Sequence, residues 1–134
     1  MKEQTITPPI TPREWNLNKI ETVLSRPLPE NLLKAKNIEG KEIVYIPWYS
    51  ANRILSKYCP GWTWEIITIQ HTSKRIFLVG RLTIPTSEGN VYREATGTEQ
   101  LSHSNYGDPS SNAESMAFRR ACAKFGLGLY LYEK

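Results

Sequence analysis

Three stretches with strand character follow one another between Trp62 and Thr98 with only short turns between them, and this run limits the fold more than any other feature of the chain. Residues 62–72, 75–86 and 90–98 are the candidates. Within them Trp64, Ile66 and Thr68, then Phe77, Val79, Arg81 and Thr83, recur with the period of two that belongs to strands. Ser73-Lys74 and Ser87-Glu88-Gly89-Asn90 supply the turns. Strands joined this tightly pair antiparallel, because a parallel pair needs a crossover of about a dozen residues or more. The expectation is an antiparallel meander, one face of which another layer must cover.

The cover is expected from the last part of the chain. Ser111-Asn112-Ala113-Glu114 has the form of a capping box and is read as the start of a long helix that ends near Gly126, followed by the apolar tail Leu129-Tyr130-Leu131-Tyr132. At about 100° per residue, Ala117, Phe118, Ala121, Cys122 and Phe125 fall on one stripe, the face that packs. Upstream, Trp15, Leu17, Ile20, Val23 and Leu24 recur as in a short amphipathic helix closed by Arg26-Pro27 and Pro29. A hairpin is expected about Asn37-Ile38-Glu39-Gly40. A second helix is expected from Pro47 through Trp48, Ala51, Ile54, Leu55 and Tyr58, stopped by Pro60-Gly61. The predicted class is α+β: a curved antiparallel β-sheet, hairpin plus three-stranded meander, with a long helix packed across it. Residues 1–12, with Pro8, Pro9 and Pro12, read as a flexible N-terminal arm, and residues 13–134 as one domain.

Composition narrows the function classes. Lys and Arg number 17 against 13 for Asp and Glu, a formal net charge of +4 that favours a polyanionic partner. Cys59 and Cys122 lack the close spacing of a zinc site and the density of a secreted disulfide scaffold, so both are expected as buried thiols in a reducing compartment. No stretch has the length and apolarity of a signal peptide or membrane span. A cytoplasmic, nucleoid-associated protein with no membrane partner is the expectation.

The arrangement of the basic residues is more informative than their number. On the last helix Arg119, Arg120 and Lys124 lie outside the packing stripe and form a basic edge, with no acid four residues before Arg120 or four after Lys124 to neutralise it. The bland alternative is an ordinary solvated face. Adjacent arginines, whose planar guanidinium groups suit phosphate oxygens, tip the balance towards phosphate contact. Lys34, Lys36 and Lys41 gather around the first hairpin, and Lys74 with Arg75 at a later turn. Repeated around an oligomer, such clusters would become a continuous band matching a nucleic-acid backbone. Trp15, Trp48, Trp62 and Trp64 sit among apolar neighbours, where core or subunit packing is expected ahead of base stacking. Tyr92 and Tyr106 are the aromatics expected nearer to nucleic acid.

With Arg119-Arg120-Ala121-Cys122-Ala123-Lys124-Phe125-Gly126 the chain resembles the Rad fifty-two single-strand annealing family, in which a helix carrying two consecutive basic residues and an alanine ends in Phe-Gly. The resemblance continues through Gly40-Lys41-Glu42-Ile43-Val44-Tyr45-Ile46, Gly61-Trp62 and Glu94-Ala95-Thr96-Gly97. It is especially close to short bacterial and phage members through Tyr106-Gly107-Asp108-Pro109 and Asn112-Ala113-Glu114-Ser115-Met116-Ala117. It implies an oligomeric ring with a basic groove in which single-stranded DNA lies backbone inward. By position it implies that Arg119 and Arg120 hold the DNA backbone in an inner groove, with Lys34 or Lys36 as the basic residue before the hairpin. Lys124 and Arg93 complete the expected DNA-binding set; Arg93 is the residue near enough to stand in for an outer-site lysine whose position falls near Ser87. The implied content is the annealing core, with a homo-oligomeric ring as partner. A recombinase or single-strand binding protein stays open as a further partner.

Annealing breaks no bond, so no catalytic residue, metal or cofactor is expected. Two rival readings stand beside it. In one, Glu94, Glu99, His103, Asp108 and Glu114 form a divalent-metal nuclease site. In the other the chain is a structural or protein-interaction oligomer whose basic edge pairs with Glu65, Glu88 or Glu94 of a neighbour.

Overall fold

The computed structural model describes residues 5–101 and 108–133. Helix α1 (Leu17–Leu24) is followed by the hairpin β1 (Lys34–Ile38) and β2 (Lys41–Tyr45), helix α2 (Trp48–Tyr58), the strands β3 (Thr63–His71), β4 (Arg75–Thr86) and β5 (Gly89–Gln100), and helix α3 (Pro109–Lys124). The class is α+β, as expected. The hairpin and the meander are separate antiparallel sheets, one in the order β1-β2 and the other β3-β4-β5.

The local reasons are visible at each end. Asn16 caps α1 by accepting from the Lys19 amide at 2.8 Å, and the Glu88 carboxylate, in the β4–β5 turn, accepts from the Leu17 amide at 3.0 Å. The two-residue turn Glu39-Gly40 has φ of 51° and 80°, the doubly positive geometry of a tight hairpin, and the Asn37 side chain accepts from the Gly40 amide. Helix α3 opens differently from the sequence expectation. Asp108 is its N-cap, accepting from the Ser110 amide at 2.9 Å, and Pro109 takes the first turn. An Asp-Pro pair supplies both a cap acceptor and a preset φ, and it displaces the Ser111 to Glu114 capping box by three residues. Glu114, released from capping, accepts from the Trp64 indole N–H at 2.9 Å.

The stripe Ala117, Phe118, Ala121, Cys122 and Phe125 is buried, as the helical spacing predicts. It packs against Leu82, Ile84 and Ala95 of β4 and β5, while Ile20, Val23 and Leu24 of α1 and Ala51 and Leu55 of α2 close the core behind it. Gly97 lets α3 approach: a Cβ there would stand 1.8 Å from the Ala113 carbonyl oxygen. The alternation read for β3 breaks at a bulge between Ile66 and Thr68. Trp64 and Ile66 point to the helix side, and Thr68 is carried to the opposite face. Residues 5–12 have no regular structure, although Ile6 packs against the core and the Glu14 carboxylate accepts from the Ile10 and Thr11 amides.

Candidate nucleic-acid interface

Cross-strand register builds the first half of the site. The two-residue turn sets Lys34 opposite Tyr45 and Lys36 opposite Ile43, so both lysines and Tyr45 share one face of the hairpin. Lys36 Nζ stands 4.9 Å from the centre of the Tyr45 ring, and Lys34 Nζ stands 5.6 Å from that of Tyr49, in the first turn of α2. Interaction with the Tyr49 side chain raises the Lys34 pKa above the ordinary lysine value and keeps it charged.

Helix α3 supplies the other half. The Arg119 guanidinium lies 5.4 Å from the centre of the same Tyr45 ring, on the side of α3 that faces the hairpin. Lys34, Lys36 and Arg119 therefore border one cavity of about 720 Å³, together with Trp48, Tyr49, Met116 and the Glu99 carboxylate. Three cations held on tyrosine rings around an open groove give it a positive character suited chemically to an anionic ligand.

Of the other sequence candidates, Lys124 and Arg93 lie outside this cavity, and Arg120 borders an adjoining one. Consecutive helical residues are about 100° apart, and Arg120 shares that neighbouring cavity, of about 280 Å³, with Arg119, Lys36 and Tyr45. Arg120 donates to the Thr96 carbonyl at 3.2 Å, and Lys124 donates to the Glu94 carbonyl at 2.6 Å. Both side chains reach the edge strand β5. Arg93 pairs with Glu21 at 2.7 Å, donates to the Lys124 carbonyl and lies 4.5 Å from the centre of the Phe125 ring, so it closes the C-terminus of α3. Tyr92 is exposed with Arg81 over its ring; Tyr106 and His103 lie outside the described residues.

The sequence reading missed Tyr45 and Tyr49. Their signal was the turn: once Glu39-Gly40 is read as a two-residue connection, Tyr45 must face Lys34. Trp48, expected in a core or subunit contact, is 51% exposed at the groove's border, because it begins α2 where the helix turns away from the core.

The acids proposed for a nuclease have other partners. Glu94 pairs with Arg81 at 2.6 Å, Asp108 caps α3, Glu114 binds Trp64 and Glu99 lies 3.4 Å from the Asn112 amide nitrogen. Among the described residues no group of three or more His, Cys, Asp or Glu side chains is placed to hold a metal ion, and no helix is long and apolar enough to cross a membrane.

No protein-family model matches the chain. It is 37% identical over 120 residues to DNA repair RAD52-like protein 1, mitochondrial, of Arabidopsis thaliana, an alignment covering 88% of this chain and 68% of that protein. It is 42% identical over 115 residues to DNA repair RAD52-like protein 2, chloroplastic, of the same plant, covering 83% and 58%. The second relative is thus matched over little more than half its length. Identity at this level across most of the chain shows that it belongs to the RAD52-like family of DNA repair proteins.

Proposed function

We propose that this chain binds single-stranded DNA in the groove bordered by Lys34, Lys36 and Arg119 and anneals complementary strands in DNA repair and homologous recombination, working as an oligomeric ring. The observation that carries the reading is the convergence of cations from the hairpin and from α3 on one tyrosine-lined groove. The family relation supports the role in DNA repair. Phosphates seated on the cations leave bases free to sample a second strand, and because annealing breaks no covalent bond, the groove needs no nucleophile or general base. Arg120, which borders the neighbouring cavity with Lys36 and Arg119, and Lys124, at the β5 edge, are available to extend the track between subunits.

Assembly through a second copy is supported by the edge strand β3, which carries Ile66, Ile67 and Ile69, each roughly half-exposed. The test is binding of a fluorescent single-stranded oligonucleotide to the intact protein and to Arg119→Ala, with oligomeric size followed in parallel. The expected result is binding that weakens with salt and a still-assembled variant that binds at least tenfold more weakly, since a charge-assisted phosphate contact contributes about 1.5–3 kcal/mol. Equal binding by the two proteins rejects the groove.

A further inference from the structure

A second cavity adjoins the cationic groove, and its lining differs in kind. It encloses about 320 Å³ between the first turns of α2 and α3 and the start of β3. Its wall is aromatic: the Phe118 ring centre lies 5.8 Å from that of Trp62 and 5.1 Å from that of Trp64. Both indole N–H groups of that wall are already engaged, Trp62 donating to the Ser56 hydroxyl at 3.0 Å and Trp64 to Glu114. Gly80 makes room for Trp64, since a Cβ there would stand 2.0 Å from the indole ring. The wall is therefore fixed in advance and presents ring surface rather than polar edge. Trp48, half-exposed, lines the cavity as well. Asn52, Ser111 and Ser115 bring an amide and two hydroxyls to the same space, and Glu114 the carboxylate that holds Trp64.

We infer that this cavity takes one nucleobase, turned out of the bound strand and stacked against the tryptophans. The inference rests on the proposed binding of single-stranded DNA. Three observations select the occupant. Flat aromatic surface with an amide, two hydroxyls and one carboxylate acceptor suits a ring that has π-faces and hydrogen-bonding edges, the carboxylate favouring an edge that donates. The volume is at the lower end for a small-molecule site, enough for one base rather than several. Trp48, Ser111 and Ser115 line the cationic groove as well, so a strand whose phosphates lie on Lys34, Lys36 and Arg119 passes the mouth of the cavity. The consequence is a division of the strand: a base held there is withdrawn from pairing while its neighbours stay available, so homology is sampled in short blocks.

The experiment compares a labelled oligothymidylate with an abasic chain of equal length, bound to the intact protein, to Trp48→Ala and to Asn52→Trp, which fills the cavity from α2. Oligomeric size is checked for each. The intact protein is expected to prefer the thymidylate by roughly five- to a hundredfold, the usual range for base stacking on an aromatic side chain, and both variants to lose that preference. In the intact complex, permanganate oxidation is expected to spare thymines at a regular interval. Equal affinity of the intact protein for the two chains, uniform oxidation, or variants that keep the preference overturns the base site while leaving the cationic groove standing. Loss of assembly in Asn52→Trp assigns the cavity to a neighbouring subunit and overturns it too. Failure of the intact protein to bind either chain overturns the DNA reading itself.

Discussion

Cys59 and Cys122 are sealed in the core between α2 and α3, and burial pushes the Cys59 thiol up to about 12 and raises Cys122 as well. Only a thiolate reacts readily, so neither thiol is expected to be alkylated in the native protein at pH 8, whereas both should react in denaturant; mass spectrometry of the adducts reads the difference directly. The same shift has a thermodynamic sign. An unfolded thiol ionises near 8.5 while the folded ones stay protonated, so the folded state binds more protons above about pH 8.5 and stability falls as pH rises further. Arg93 makes a contrasting case, because a residue singled out for DNA binding is held by Glu21 and the last turn of α3. Arg93→Ala is expected to cost about 1 kcal/mol of stability, a partly exposed ion pair and a helix-terminal charge together. Its effect on oligonucleotide affinity should be much smaller than that of Arg119→Ala. A melting curve and a binding isotherm on the same sample separate the two roles.

Helix α3 is the element whose placement decides most of the structure, and it is where the sequence was easiest to read. Its packing stripe follows from the helical angle alone, since alanines and aromatics on one face have no other way to be buried. How closely the helix sits is another matter: that depends on Gly97, which meets the Ala113 backbone across a distance no sequence pattern reveals. Gly97→Ala forces the helix away from β5 and should destabilise the protein by at least the ~1–3 kcal/mol of ordinary overpacking, seen as a lower melting temperature with the helical signal intact before melting. The same limit explains what remained hidden elsewhere. The β3 bulge inserts a residue that a strict period of two does not anticipate, and the helix start moved because Asp108-Pro109 competes with Ser111 for the cap. In the site, the basic residues could be named from composition and spacing, but not sorted. Arg119 lies over the Tyr45 ring and borders the groove of Lys34 and Lys36, whereas Arg120 donates to the Thr96 carbonyl and meets Lys36 and Tyr45 across the neighbouring cavity, a difference that only the placed hairpin shows.

Taken as one molecule, the three-stranded sheet has two edge strands of unequal chemistry among the described residues. The β5 edge has its Glu94 and Thr96 carbonyls covered by Lys124 and Arg120, whereas the β3 edge offers half-exposed isoleucines. Unequal edges favour a head-to-tail contact, and head-to-tail contacts close into rings when the rotation per subunit permits. Ile69→Lys is therefore expected to shift the protein to smaller species in sedimentation, while Arg120→Glu tests whether the covered edge also takes part. Assembly has a signature in binding that a single subunit lacks. Each phosphate neutralised on a single strand contributes about −0.7 to the slope of log affinity against log salt, so the groove of one subunit supplies a slope of about −2. If subunits line up their grooves, the slope should steepen as the oligonucleotide is lengthened, because each further subunit engaged releases its own counterions. A monomeric binder would instead keep a slope near −2 on any strand long enough to fill one groove. Measuring the slope for a series of strand lengths, on the intact protein and on dissociated Ile69→Lys, decides between a continuous track and isolated sites: the intact series should steepen, and the variant's should stay flat.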